Sequence, residues 1–122
     1  MANYNIIQGD AFPTSYLYQV KSTGNAIPLS GGKFVFEVRD DFGGNDVIYT
    51  SSVSIPTSGS VTNGDITIKS PTSGSVVVVV PGSATQNFNL PKSAFQARFT
   101  DSSGNPTTFE TGYFVVNPGV IS

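Results

Sequence analysis

The sequence predicts an all-β domain, a sandwich of about seven to nine short antiparallel strands with one short helical turn. Apolar and polar residues often alternate with a period of two, and helical periodicity is nearly absent. Turn signals rich in Gly, Asn and Pro recur at short intervals, as at Asn63-Gly64. A length of 122 residues suits a single domain that covers residues 1–122.

Three segments carry the clearest strand pattern: Ser15 to Lys21, Lys33 to Arg39 and Phe95 to Asp101. In the second of these, Phe34, Phe36 and Val38 face one way, while Val35, Glu37 and Arg39 face the other. Further strands are predicted at Tyr4 to Gln8, Val47 to Ser51, Ile66 to Lys69, Ser75 to Val80 and Thr108 to Val116.

One helical turn is predicted between two of these strands. Ser83 and Gln86 have the spacing of a capping box, with Ser83 as the N-cap and Gln86 at the third helical position. The turn would cover Ala84 to Phe88 and end before Pro91.

Composition excludes several classes of function. The chain has no Cys and no His, which removes thiol chemistry, the commonest general base and the commonest zinc ligand. Six cations and a net charge of −2 cannot supply a basic stripe for nucleic acid. The longest apolar run, Val76 to Val80, is too short to span a bilayer, and Met1 to Asn5 lacks the features of a signal peptide. We therefore expect no enzyme, no cofactor, no metal and no membrane or nucleic-acid partner.

Three short patterns could carry chemistry, and each has a plainer interpretation. Gly31-Gly32-Lys33 lacks the first Gly and the Ser or Thr of a phosphate loop, so Lys33 is expected to start a strand. Asp40, Asp41, Asn45 and Asp46 could hold a cation or simply stabilise a hairpin loop. Glu37 and Arg39 are expected to form a solvated ion pair on one strand face.

The apolar residues near the two ends of the chain are the candidates for contact with partners. Residues 1–8 could form an arm that carries Ile6 and Ile7, and residues 117–122 a tail that carries Val120 and Ile121. Tyr16 and Tyr18 are either core residues on one strand face or aromatic residues at the rim of an interface. The five consecutive valines are either a covered core strand or a strand buried against another subunit.

Motifs along nearly the whole chain resemble those of a known group of virion proteins. They are Gly9-Asp10-x-Phe12, Gly24-Asn25-x-Ile27-Pro28-Leu29-Ser30-Gly31, Val80-Pro81-Gly82-Ser83-Ala84-Thr85, Phe95-x-Ala97-x-Phe99-Thr100-Asp101-Ser102-Ser103-Gly104 and Thr107-Thr108-Phe109-x-Thr111-Gly112-x-Phe114-Val115-Val116. They resemble small immunoglobulin-like proteins of tailed-phage structural modules, to which the N-terminal domain of the phage baseplate upper protein is related. Pro28 replaces the usual acidic residue, and Phe95 replaces the usual Tyr.

The resemblance implies an immunoglobulin-like sandwich with a structural role and no catalytic residues. We expect a component of the virion, assembled in the host cytoplasm and present as a homo-oligomer or as symmetric copies beside other virion proteins. A place in the tail or baseplate is favoured over a capsid cement or decoration protein. A receptor- or glycan-binding module is the third alternative, although Trp is absent and only Phe42 and Tyr49 lie near a loop.

Overall fold

A computed structural model describes residues 2–18, 27–41, 46–57, 59–63, 65–69, 74–88 and 91–118. Within these ranges the chain forms nine strands and one short helix, so the all-β prediction is confirmed. The strands are β1 (Ala2–Ile7), β2 (Phe12–Leu17), β3 (Lys33–Arg39), β4 (Val47–Ser54), β5 (Val61–Asn63), β6 (Ile66–Ile68), β7 (Ser75–Val80), β8 (Lys92–Thr100) and β9 (Pro106–Asn117). The helix is α1 (Gly82–Thr85).

The strands form two sheets. The five-stranded sheet has the order β1-β9-β8-β3-β4, and the four-stranded sheet has the order β2-β7-β6-β5. In chain order, β9-β8-β3 corresponds to strands G, F and C of an immunoglobulin sandwich, and β2-β7-β6 corresponds to strands B, E and D. The predicted immunoglobulin-like architecture is therefore confirmed.

One strand pair departs from the predicted antiparallel arrangement. β1 runs parallel to β9, with Tyr4 opposite Phe114 and Ile6 opposite Val116. Strands joined by a hairpin must be antiparallel, but β1 and β9 lie at opposite ends of the chain, so no hairpin fixes their relative direction. The prediction of antiparallel strands is wrong for this pair.

The strand bounds follow the predicted ones most closely where alternation is strongest. β3 and β7 have the predicted bounds, while β2 and β8 each begin three residues earlier than predicted. The sequence does not predict β5, because its three residues contain only one apolar side chain and Thr62 and Asn63 belong to a turn signal. It forms a hairpin with β6, in which Thr62 lies opposite Thr67.

The core lies between the two sheets and is rich in aromatic rings. Phe34, Phe36 and Val38, which the sequence placed on one face of β3, are completely buried, and this confirms that face assignment. The rings of Phe95 and Phe114 stack with centroids 4.6 Å apart, and Phe12 from the other sheet meets Phe114 edge-on at 5.0 Å. Aromatic contacts therefore join the two sheets directly.

The helical turn begins two residues earlier than predicted, and its cap differs. Pro81 is the N-cap, and its carbonyl accepts hydrogen bonds from the N–H groups of Ala84 and Thr85. No side chain in the described part of the chain caps the helix, so the capping box predicted for Ser83 and Gln86 is wrong. Instead, the buried Thr85 hydroxyl accepts from Gly9 N–H at 3.1 Å and donates to the Asp10 carbonyl at 2.8 Å. The turn is thus fastened to the connection between β1 and β2.

Candidate functional site

A carboxylate with two tyrosine partners lies between the sheets, beside strands β1 and β2. Glu110 on β9 accepts a hydrogen bond from the Tyr16 hydroxyl at Oε1, at 2.8 Å, and another from the Tyr4 hydroxyl at Oε2, at 2.7 Å. Tyr4 and Glu110 belong to the five-stranded sheet and Tyr16 to the four-stranded sheet. The cluster therefore links the two layers through hydrogen bonds to a charged group, which are stronger than neutral ones.

An irregularity in β9 brings Glu110 to the interior. Ala97 of β8 lies opposite Glu110, while the next residue, Arg98, lies opposite Thr108, so Phe109 is an extra residue in the ladder. Phe109 packs against the rings of Tyr16, Tyr18, Phe34 and Phe99. The side chains of two consecutive residues, Phe109 and Glu110, thus both make contacts between the sheets. Strict alternation would direct them to opposite faces of the sheet.

The surroundings keep both tyrosines protonated. Burial, followed by the hydrogen bond to Glu110, raises the pKa of Tyr16 far above its usual value. The pKa of Tyr4 is raised chiefly by its hydrogen bond to the same carboxylate. Both hydroxyls therefore remain donors, and the arrangement acts as a cross-link. Sequence reasoning missed it because Glu110 has no charged neighbour along the chain.

Tyr16 and Tyr18 take positions against the core. Both are half-buried, and both pack against Phe109. The Tyr18 ring also lies 5.9 Å from that of Phe99, and its hydroxyl lies 3.5 Å from Thr107 Oγ1. Of the two alternatives stated from the sequence, the core position accounts for these contacts.

The apolar residues of the N-terminal segment differ in exposure. Ile6 is 7% exposed and belongs to the core, whereas Ile7 is 49% exposed. Residues 2–7 form β1, so the segment expected to be an arm is an edge strand of the chain's own sheet. The side chain of Ile7 is thus exposed enough for a partner to contact it, whereas that of Ile6 has very little exposed surface. Val120 and Ile121 lie outside the described residues.

The five valines of β7 divide between two environments. Val76, Val78 and Val80 are completely buried. Val77 is half-buried, and Val79 is 42% exposed on the outer face of the four-stranded sheet. Half of this strand therefore builds the core, and the other half leaves apolar surface outside.

The glycines before Lys33 do not form a phosphate loop. Gly31 N–H donates to the Ile55 carbonyl at 3.0 Å, and Gly32 N–H donates to the Leu29 carbonyl at 3.1 Å. These N–H groups, which a phosphate would require, are already used in the turn. Lys33 is the first residue of β3, as predicted.

The acidic residues near β4 are held by local and tyrosine hydrogen bonds. Asp40 Oδ1 accepts from Asp41 N–H at 2.9 Å, and the Tyr113 hydroxyl donates to Asp41 Oδ1 at 3.2 Å. Across the sheets, the Tyr49 hydroxyl donates to Asp65. Among the described residues, no three Asp or Glu side chains are placed to hold a metal ion, and Asn45 lies outside those residues.

A shallow depression of about 290 Å³ lies on the outer face of the five-stranded sheet. It is lined by Glu37, Arg39, Asp41, Ala94, Phe95, Gln96 and Arg98. The predicted ion pair is present, with Arg39 Nε 2.9 Å from Glu37 Oε2 and both side chains partly exposed. Charges of both signs therefore line an open surface, which suits polar contacts.

No family model matches this chain, and no curated protein matches it either. In the part of the chain described above, no helix is long and apolar enough to cross a membrane.

Proposed function

We propose that this chain is a non-enzymatic structural component of a tailed-bacteriophage particle, located in the tail or baseplate. It assembles with neighbouring copies or with other virion proteins through the edges of its sheets and its terminal segments. The resemblance of its motifs to those of phage immunoglobulin-like proteins suggests the setting, and the shape of the sandwich suggests the mode of assembly.

The observation that carries the proposal is the open side of the sandwich formed by β1 and β2. Among the described residues, each of these strands is the outermost strand of its sheet, and each carries an exposed apolar residue, Ile7 or Leu17. The opposite side is partly closed, because Asn63 of β5 donates through Nδ2 to the Ser52 carbonyl of β4 at 2.8 Å. An uncovered edge strand is a template for pairing with another chain.

Peptide mass spectrometry on purified particles of the phage that encodes this chain tests the proposal. Heads and tails are separated, and the amounts are compared with those of the major capsid and major tail proteins in each fraction. Recovery with tails supports the proposal. Recovery with heads at high copy number would make the chain a capsid cement or decoration protein, and absence from both fractions would contradict a role in the virion.

A further inference from the structure

The outer faces of the two sheets differ in charge. Four of the six Lys and Arg residues lie on the outer face of the five-stranded sheet: Lys33, Arg39, Lys92 and Arg98. On the other sheet, the outward residues of β2 and β7 carry no charge at all; they are Pro13, Ser15, Leu17, Ser75, Val77 and Val79. Leu17 is 60% exposed, the largest value among the exposed large apolar residues of the described chain. This uncharged surface, which we call the β2/β7 face, ends at the open edge of β2.

The hydrogen-bond pattern shows which backbone groups of β2 face that open edge. Tyr18 N–H donates to the Gly74 carbonyl of the segment leading into β7, at 2.8 Å. Because residues of an antiparallel strand point their backbone groups alternately to either side, Thr14 and Tyr16 also face β7. The odd-numbered residues Pro13, Ser15 and Leu17 therefore direct their backbone groups to the open edge.

Pro13 fits this pattern. Proline has no backbone N–H, and in a sheet it is confined to positions where that group would face away from the ladder. At the second residue of β2, the missing donor faces the open edge and costs no bond to β7. Among the described residues no strand pairs with this edge, so the donors of Ser15 and Leu17 and the carbonyls of all three residues are available to another strand.

We propose that β2 pairs antiparallel with β2 of a second copy of this chain, about a two-fold axis at Ser15. The inference rests on the proposed function and specifies one of its edges and one partner. Ser15 of each copy exchanges both backbone hydrogen bonds with Ser15 of the other. Leu17 N–H of each copy donates to the Pro13 carbonyl of the other, so the proline is used only as an acceptor. The four-stranded sheet becomes one continuous sheet across two copies.

The side chains support a second copy as the partner. In this register, Leu17 lies opposite Pro13 of the other copy, so the exposed leucine gains an apolar neighbour. The β2/β7 faces of the two copies adjoin, and no charged side chain of β2 is brought near another, since β2 has none. A two-fold axis allows the same patch to serve both partners, as in most symmetric pairs.

The contact is expected to be weak in isolation. Two six-residue strands meeting edge to edge bury far less than the roughly 800 Å² per partner of stable complexes. The same pair becomes stable when other contacts hold the copies side by side at a high effective concentration. The test must therefore trap a transient pair.

Single cysteines provide that trap because the natural chain has none. Ser15→Cys places the two sulfurs at the proposed axis, where opposite Cα atoms lie about 5.5 Å apart, within disulfide range. Thr50→Cys is the matched control, an exposed hydroxyl residue on β4, an edge strand of the five-stranded sheet. Under mild oxidation of the purified full chain, Ser15→Cys should form disulfide-linked dimers about tenfold faster than Thr50→Cys. Equal rates would overturn the proposal.

A second substitution in the Ser15→Cys background tests the side-chain contact. Leu17→Lys replaces the apolar neighbour of Pro13 with a charged side chain at both ends of the pair, and should lower the cross-linking rate to that of the control. Val47→Lys changes an apolar residue that is 45% exposed on β4 and should leave the rate unchanged. Circular dichroism spectra that match wild type show that each variant is folded. A rate unaffected by Leu17→Lys would overturn the pairing.

The two proposals can fail separately. If Ser15→Cys fails to cross-link faster than Thr50→Cys while the chain is found in tails, the β2 pairing is overturned and the virion role stands. If the chain cross-links through Ser15→Cys but is absent from particles, the pairing stands and the virion role is overturned.

Discussion

The hydroxyl of Tyr16 donates to Oε1 of Glu110 at 2.8 Å, and this hydrogen bond joins the two sheets of the sandwich. The Tyr4 hydroxyl donates to the other carboxylate oxygen, Oε2 of Glu110. Tyr4 and Tyr16 lie on the two edge strands of the open side, β1 and β2, so one carboxylate fixes both edges relative to β9. The edge pairing proposed above requires strands in fixed positions, and Glu110 contributes to holding β1 and β2 in place.

Replacing Glu110 should destabilise the domain substantially. Glu110→Ala removes the acceptor of two tyrosine hydroxyls, and hydrogen bonds to a charged group contribute more than neutral ones. The free energy of unfolding should fall by about 2–4 kcal/mol. Urea denaturation followed by fluorescence measures it. The control is Glu37→Ala, which breaks a partly exposed ion pair and should cost below about 1 kcal/mol. Equal losses in the two variants would contradict the role assigned to Glu110.

Stability should fall in alkaline solution. The pKa of Tyr16 in the folded chain is raised above the usual 10.0, chiefly by burial, and that of Tyr4 chiefly by its hydrogen bond to Glu110. A raised pKa contributes stability that is complete below the unfolded pKa and is lost as the pH rises toward the folded one. The free energy of unfolding should therefore be smaller at about pH 11 than at about pH 8.

The variant Tyr16→Phe isolates the contribution of one tyrosine. It lacks the hydroxyl, so its stability should decline less than that of wild type between the two pH values. Urea titrations of both proteins at each pH give the comparison. A decline as steep in Tyr16→Phe as in wild type would assign the alkaline loss to other tyrosines, such as Tyr49, whose pKa burial also raises.

The alternation of apolar and polar residues predicted the strands of the sandwich because it is visible within the sequence of each single strand. In β3, Phe34, Phe36 and Val38 are completely buried, as the period of two requires. Alternation could not predict that the side chains of Phe109 and Glu110 both lie between the sheets. The extra residue in β9 is defined only by its register with the partner strand β8. The Tyr4–Glu110–Tyr16 cluster depends on that irregularity and on pairing between distant segments.

Helix capping and strand direction were also decided by tertiary contacts. The spacing of Ser83 and Gln86 predicted a local cap, but the helical turn closes on the Pro81 carbonyl and is fastened through Thr85 to Gly9 and Asp10. Those two residues lie more than seventy positions away along the chain. The parallel direction of β1 likewise depends on β9 and not on a turn next to it.

The valine strand allows buried and exposed positions to be compared within one element. Val78→Ala removes two methyl groups from a completely buried site, and the lost burial together with the cavity should cost about 2–3 kcal/mol. Val79→Ala, next to it on the outer face, should change the free energy of unfolding by less than about 0.5 kcal/mol. Thermal and urea unfolding of the two variants measure the difference. If Val79→Ala proved as costly as Val78→Ala, the outer face of β7 would be covered in the isolated chain.

Gly32 is required by close packing at the start of β3, and its replacement should show this. A Cβ atom at Gly32 would lie 2.6 Å from the Thr100 carbonyl oxygen and 2.7 Å from Cζ of Phe99. Both neighbours belong to β8, which pairs with β3, so neither can move without disturbing the ladder or the core. Gly32→Ala should therefore destabilise the domain by about 2–3 kcal/mol.

Comparison with Gly104→Ala distinguishes the cost of steric crowding from the cost of backbone strain. Gly104 has a φ of +88° in an exposed turn, with no atom within 4 Å of an added Cβ. The alanine there should cost only about 1 kcal/mol, through its backbone conformation alone. Urea denaturation of both variants provides the comparison. A smaller loss for Gly32→Ala than for Gly104→Ala would show that β3 and β8 separate easily at this end. Such freedom would contradict a sandwich in which Gly32, the residue before β3, is fixed by its contacts with β8.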